Sequence, residues 1–181
     1  VAGAPLYVVH VTCAKAVDQI AYGRARGLNV MGETCVQYFH FTIDDLRKPD
    51  GAKWVCSPPV RTQADNAYLW NAVKTNALQV VSTDHCPFLY DGTKAIEYEG
   101  KPFQIAGKEL GKGDFSKIPN GLPCIEDRMP ILWTYGVGEG RISMNRLVEL
   151  CCTNPAKIFG LYPTKGTLVV DAAKRVNNDI P

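Results

Sequence analysis

The sequence lacks the features that mark several large classes of protein. No apolar run approaches the roughly 20 residues that cross a bilayer, and the first residues carry neither a basic region nor a signal cleavage site. The 20 Lys and Arg residues and the 18 Asp and Glu residues are interspersed without basic runs, so the charge pattern of a nucleic-acid-binding protein is absent. We therefore expect neither a membrane nor a nucleic acid as a partner.

Several catalytic and structural motifs are also missing. The sequence contains no GxGxxG, P-loop, GxSxG or HExxH pattern, which argues against dinucleotide, nucleoside triphosphate, serine hydrolase and zincin chemistry. The 7 cysteines are odd in number and form no CxxC pair, so we expect neither a disulfide framework nor a Cys-type zinc site. Free, mostly buried thiols fit a reducing compartment and predict a cytoplasmic protein.

What is present is an alternation of strand-like and helix-like segments. Hydrophobic residues make up 46% of the 181 positions, which is enough for a core. Unbroken apolar runs predict buried strands, and helical spacing predicts the segments between them. The predicted strands are 6–11, 28–33, 54–59, 78–85 and 166–170, and the predicted helices are 14–26, 63–77, 124–138, 143–152 and 154–161. Residues 87–121 are predicted to form a long loop. This α/β pattern fits both a flavodoxin-like open sheet and part of a (β/α)8 barrel.

Polar residues fall at the ends of three of the predicted strands. His10, Ser57 and Asp84 each close an apolar run, and the carboxyl ends of strands form the ligand-binding edge of α/β folds. Imidazole and carboxylate groups both suit zinc, but two ligands make an incomplete site. A packed histidine at position 10 and a helix cap at position 84 are the structural alternatives. We expect His85 to support the site from behind or to be structural, and His40 to be an ordinary surface or packing histidine.

Several phrases closely resemble the dihydropyrimidinase and hydantoinase family of cyclic amidohydrolases. The resemblance runs in order through nearly the whole chain, which makes a chance match implausible. It is carried by LYVVHVT (6–12), CSPPVR (56–61), VVSTDHCPF (80–88), GKGDFSKIPNG (111–121) and TNPAKIFGLYPTKGT (153–167). Residues 89–107 depart from the family pattern because this segment is longer than in many relatives.

The resemblance implies an architecture and a state of assembly. It implies a metal-dependent hydrolase of the (β/α)8 TIM-barrel fold, with residues 1–161 as the second half of the barrel. Residues 162–181 would be the return segment at the start of a small β-sandwich. A homotetramer is implied for the intact protein. The family's HxH pair, carboxylated bridging lysine, second bridging histidine and substrate-contacting tyrosine would all lie upstream of this chain.

The resemblance also implies roles for individual residues. His10 matches a zinc ligand, and Asp84 matches the aspartate that binds metal and shuttles protons. Ser57 and Asn120 match residues that hold a small cyclic amide through backbone groups. Two Zn²⁺ ions per complete site would support hydrolysis of dihydrouracil, dihydrothymine or a hydantoin to an N-carbamoyl amino acid, as in pyrimidine catabolism. A non-catalytic scaffold relative, an allantoinase and a dihydroorotase are the alternatives.

Overall fold

The computed structural model describes residues 3–168 and contains a three-stranded parallel sheet. Its strands are β1 (Leu6–Val8), β2 (Val30–Cys35) and β3 (Val80–Ser82). Their spatial order follows the chain order, with Leu6 opposite Val30 and Glu33 opposite Val80. A flavodoxin-like sheet would instead place its first strand between the second and the third. The observed order therefore favours the barrel interpretation.

Helices cover one face of this sheet. Helix α1 (Ala14–Ala25) connects β1 to β2, and α3 (Gln63–Lys74) precedes β3, while the short α2 (Ile43–Leu46) lies between β2 and α3. Gly32 allows the close approach of α1, because a Cβ there would lie 2.7 Å from Cδ1 of Ile20. The sheet face that carries residue 32 is thus the helix-packed face.

The two long helices are capped together by one carboxylate. Thr62 and Asp65 form a capping box that starts α3. Oδ1 of the same Asp65 accepts a hydrogen bond of 3.0 Å from the backbone N–H of Ala14, at the start of α1. This bond fixes α1 against α3. The hydrophobic residues with no exposed surface lie in or next to β2, α3 and β3 and in the C-terminal helical region: Cys35, Val36, Leu69, Val73, Leu78, Val81, Leu132, Leu147 and Leu150.

The C-terminal helical region contains wide turns that the periodicity did not predict. Helix α4 (Arg128–Ile131) continues into π-helical turns over Leu132–Gly138. Helices α5 (Met144–Val148) and α6 (Asn154–Ile158) are joined by further π-helical turns over Glu149–Thr153. The helices predicted over 143–152 and 154–161 are therefore present, but they form one continuous helical segment that ends at Ile158. Pro155 has no N–H to donate, and wide turns before it accommodate the missing bond.

Three other predictions differ from the structure. Residues 54–59 do not form a strand: the chain makes a 3-10 turn over Gly51–Trp54, and residues 55–60 then run outside the sheet. Pro58 and Pro59 lack the N–H groups that a sheet ladder needs. Residues 87–121 are not simply a loop, because they contain an exposed hairpin of β4 (Ile96–Tyr98) and β5 (Lys101–Phe103). Of the predicted strand over 166–170, residues 166–168 are not in a strand and the rest lie outside the described residues.

The cysteines and the helices of the chain bear on two of the sequence predictions. All seven cysteines are free thiols; Cys35, Cys56 and Cys124 are buried, whereas Cys86 is exposed. In the described part of the chain, no helix combines the length and the apolar character needed to cross a membrane. Most of the predicted segment 162–181 lies outside the described residues.

Candidate functional site

His10 and Asp84 occupy equivalent places in the sheet. Each lies two residues beyond the last residue of its strand, β1 for His10 and β3 for Asp84, at the same edge of the parallel sheet. Both have left-handed backbone conformations, with φ of 40° and 47°. Positive φ is uncommon in residues other than glycine, and such residues cluster at functional sites. The structure thus brings both predicted ligands to one edge of the sheet.

His10 and Asp84 do not follow neighbouring strands. Strand β2 lies between β1 and β3, so two strand spacings, about 9.5 Å, separate the strands themselves. Within residues 3–168, no group of three or more His, Cys, Asp or Glu side chains converges in a way that could hold a metal ion. The described residues therefore place one imidazole and one carboxylate at this edge, separated by β2.

A hydrogen-bonded network ties the three strands together on the sheet face opposite the helices. The Tyr7 hydroxyl on β1 donates to Oε2 of Glu33 on β2 at 2.6 Å, and the Ser82 hydroxyl on β3 donates to Oε1 at 2.9 Å. The Cys35 Sγ lies 3.3 Å from the Ser82 Oγ. One carboxylate on the central strand therefore bridges both outer strands, and it fixes the spacing of the strand ends that carry His10 and Asp84.

Tyr7 and Cys35, two ionisable groups of this network, are kept uncharged by their surroundings. Burial, reinforced by the hydrogen bond to Glu33, raises the pKa of Tyr7 above its ordinary value. Burial likewise raises the pKa of the Cys35 thiol to about 12. Both groups therefore remain protonated at neutral pH and act as neutral hydrogen-bonding groups.

A second segment lies beside the end of β3 and carries Asn120. The backbone N–H of Gly121 donates to the Val55 carbonyl at 3.0 Å, and the N–H of Cys86 donates to the Leu122 carbonyl at 3.1 Å. Glycine is required at 121, because a Cβ there would lie 2.3 Å from the Cys86 carbonyl oxygen. These contacts place the segment that carries Asn120 between residue Val55 on one side and residues 85–86, just after Asp84, on the other.

Ser57 is held in this arrangement by the turn that contains it. The buried Tyr38 hydroxyl donates to the Pro58 carbonyl at 2.8 Å, and the Cys56 Sγ donates to the same oxygen at 3.4 Å. Within the described residues, the backbone N–H and C=O groups of Ser57 and Asn120 take part in no protein hydrogen bond. Both residues are exposed, so these groups are open to a ligand.

The other histidines have structural contacts. Nδ1 of His85 accepts hydrogen bonds from the backbone N–H groups of Cys124 at 3.1 Å and Ile125 at 3.2 Å, which fixes the start of the last helical region. His40 packs against the rings of Phe41 and Tyr135.

Sequence reasoning missed two residues that shape the site, Glu33 and Tyr38. A charged residue inside the apolar run VMGETC was the available signal for Glu33, since an unpaired charge in a buried strand is costly. No pattern in the sequence indicated the partner of Tyr38, because its hydroxyl bonds to a backbone carbonyl twenty residues away.

The chain is similar to known D-hydantoinases and dihydropyrimidinases. No family model matches it. It is 50% identical over 174 residues to a D-hydantoinase of Streptomyces coelicolor and 49% identical over 173 residues to a D-hydantoinase of Geobacillus stearothermophilus. These alignments cover 95% and 94% of this chain and 34% of each relative. The crystal structure of a dihydropyrimidinase from Brevibacillus agri matches with a TM-score of 0.82 and 50% identity, over 93% of this chain and 34% of that one.

Proposed function

The chain is homologous to about one third of the length of D-hydantoinases and dihydropyrimidinases, and from that premise we propose that it is the second half of a zinc-dependent cyclic amidohydrolase barrel. Three parallel strands in chain order, with α1 packed closely against β2 at Gly32, support this placement. The opposite face carries the Glu33 network and would line the interior of the closed barrel. The full-length protein would close the barrel with strands from upstream residues.

The observation that carries the proposal is the equivalent placement of His10 and Asp84. A neutral imidazole and a carboxylate form a donor set that suits zinc, and both follow strands at the edge where barrel enzymes hold their active sites. These two residues fit as part of a metal site whose remaining ligands would come from upstream. When bound, zinc would polarise the substrate carbonyl and lower the pKa of the attacking water.

The residues of this chain then have distinct roles in ring opening. The Asp84 carboxylate would accept the proton of the attacking water and return it to the ring nitrogen as the C–N bond breaks. The open backbone N–H and C=O groups of Ser57 and Asn120 would pair with the planar imide of the ring and orient it for attack. The substrate would be a dihydropyrimidine, such as dihydrouracil or dihydrothymine, or a hydantoin, and the product an N-carbamoyl amino acid.

Replacement of Asp84 by Asn in the full-length protein tests this role. The variant keeps the size of the side chain but loses its basicity and a charged metal ligand. We expect turnover of dihydrouracil and hydantoin to fall by a factor of at least about 100, with reduced zinc content by elemental analysis. The matched control is Asp91→Asn, because Asp91 is an exposed carboxylate of the next segment whose hydrogen bonds, within residues 3–168, are to Thr93 alone.

The alternatives predict different results in the same assays. A non-catalytic scaffold relative would show neither zinc binding nor turnover in the unaltered protein. An allantoinase or a dihydroorotase would prefer allantoin or dihydroorotate over dihydrouracil and hydantoin. Near-normal turnover of Asp84→Asn would remove the proposed proton transfer. The homotetramer, the cytoplasmic location and a place in pyrimidine catabolism stay predictions.

A further inference from the structure

The Val55 carbonyl joins the two segments that carry Ser57 and Asn120. It accepts a hydrogen bond of 3.0 Å from the backbone N–H of Gly121, the residue after Asn120. It also accepts a hydrogen bond of 2.8 Å from the Nζ of Lys108. One acceptor, two residues before Ser57, therefore fixes the Asn120 segment and takes a side-chain donor from the long segment after β3.

The backbone of Lys108 is firmly placed. The residue begins a 3-10 turn over Lys108–Gly111, and its N–H donates to the Leu89 carbonyl at 2.8 Å. Gly107 packs against the same group, because a Cβ there would lie 2.3 Å from the Leu89 carbonyl oxygen. The Lys108 side chain thus extends to Val55 from a fixed base.

The amino group of Lys108 is buried without a counter-ion. The residue is 4% exposed, and among residues 3–168 no carboxylate forms an ion pair with it. Within the same range, its side chain donates one hydrogen bond, to Val55. Burial lowers the pKa of this amine, which reflects the cost of placing a cation here. An apolar side chain would fill the space at a lower cost, so the donor to Val55 accounts for the lysine.

Ser57 lies between this contact and a second one. On its other side, the Pro58 carbonyl accepts the hydrogen bond of the Tyr38 hydroxyl. Tyr38 belongs to the 3-10 turn that directly follows β2, so it joins residues 55–58 to the sheet. Lys108 joins the same residues to the segment after β3. The open backbone groups of Ser57 are therefore held from both sides.

On the premise of the proposed function, we propose that Lys108 is a positioning residue for ring opening. Through the Val55 carbonyl, it holds the backbone groups of Ser57 and Asn120 at the spacing that binds the imide. In this role, Lys108 contacts neither the substrate nor the metal. Its loss should therefore weaken the binding of the ring and leave zinc in place.

Steady-state kinetics of Lys108→Met in the full-length protein test the proposal. Methionine is similar in length and removes the donor. We expect the KM for dihydrouracil and for hydantoin to rise at least about fivefold and kcat to fall by less than about twofold, because a contact made equally in the bound substrate and the transition state affects KM. Zinc content by elemental analysis should stay unchanged. A lysine that served folding alone would lower the fraction of active protein and leave KM as it is.

Two further substitutions complete the test. Lys112→Met is the matched control, at an exposed lysine four residues along the chain, and should leave KM and kcat unchanged. Lys108→Gln keeps a polar end on a side chain that is one bond shorter, so its amide falls short of the Val55 carbonyl. It should raise KM as Lys108→Met does, and it provides the measurement if Lys108→Met does not fold by circular dichroism.

The failure of this inference can be told apart from the failure of the proposed function. An unchanged KM in folded Lys108→Met or Lys108→Gln overturns the role of Lys108 and leaves the proposed hydrolysis standing. An equal rise of KM in Lys112→Met does the same. Absence of dihydrouracil and hydantoin turnover in the unaltered protein overturns the proposed function and the role of Lys108 with it.

Discussion

The parallel sheet and the segment over 87–121 hold their parts of the candidate site by different means. The sheet places His10 and Asp84 through parallel pairing, a buried helix layer and the Glu33 bridge between outer strands. The long segment has an exposed hairpin, with every residue of β4 and β5 exposed, and it returns to the site through hydrogen bonds near Lys108 and Gly121. The proposed metal donors thus lie on the rigid part, and the groups that would orient the ring lie on connecting segments.

This difference follows from how each region is stabilised. The sheet gains from the burial of large apolar side chains, such as Leu69 of α3, which has no exposed surface. The hairpin exposes Tyr98 and Phe103 to more than half of their full extent. An isolated two-stranded hairpin has little stability of its own, so it depends on the anchors at its base. Substitutions in the sheet should therefore lower the global free energy of unfolding more than substitutions in the hairpin, whose effects should stay local.

The largest contrast is expected between Leu69→Ala and Tyr98→Ala. Leu69→Ala leaves a cavity beneath the sheet and should lower the free energy of unfolding by about 2–5 kcal/mol. Tyr98→Ala removes an exposed ring from the hairpin and should change it by less than about 0.5 kcal/mol. Denaturant unfolding of the full-length protein measures both. Similar losses in the two variants would show that the hairpin is as firmly built as the sheet.

A smaller effect is expected when the bridge across the sheet is removed. Glu33→Leu leaves the half-buried hydroxyls of Tyr7 and Ser82 without their acceptor and should cost about 1–3 kcal/mol. It should also weaken zinc binding by the full-length protein, because the spacing of His10 and Asp84 is no longer fixed. Glu33→Gln should recover most of both losses, since hydroxyls can accept from an amide.

The matched control for this change is Glu97→Leu, at an exposed carboxylate of the hairpin. It should leave both unfolding and zinc affinity unchanged. Zinc affinity of Glu33→Leu equal to that of the unaltered protein would show that the strand ends keep their spacing without the bridge.

The smallest effect is expected at the base of the hairpin. The Glu109 carboxylate accepts hydrogen bonds from the backbone N–H groups of Gly92 at 2.7 Å and Gly107 at 2.8 Å, and these bonds lower its pKa. Glu109→Gln should speed hydrogen exchange in peptides covering 89–110, as measured by mass spectrometry, and leave peptides of α3 unchanged. Global unfolding by denaturant should be unchanged within error.

The pH dependence of this anchor has a definite sign. A carboxylate whose pKa is lowered in the folded state contributes stability above its ordinary pKa and loses it as the pH falls through the lowered value. Exchange over 89–110, corrected for the intrinsic pH dependence, should therefore rise on acidification in the unaltered protein and change less in Glu109→Gln. Unchanged protection in both would show that the anchor does not hold the loop.

Local sequence patterns determined where the main strands and helices of this protein lie. The unbroken apolar runs at 6–11, 28–33 and 78–85 indicated strands because a sheet covered by helices needs apolar residues on successive positions. The observed strands β1, β2 and β3 overlap these runs, and α1 and α3 lie where the helical spacing placed them. The same patterns predicted that His10 and Asp84 fall at one edge of a parallel sheet, whereas their proposed roles as ligands came from the family resemblance.

Only the tertiary structure decided which strands pair and which side chains form hydrogen bonds between different strands and segments. The strand order placed β2 between the two predicted ligands, and no local pattern encodes which strands pair. The bonds of Glu33 to Tyr7 and Ser82, of Tyr38 to Pro58, and of Lys108 to Val55 join residues 20 to 53 positions apart. Periodicity reports which face of its own element a residue occupies, but the partner of a polar group depends on long-range packing. For that reason the proposed ligands were visible in the sequence, and the network and the contact of Lys108 with Val55 were not.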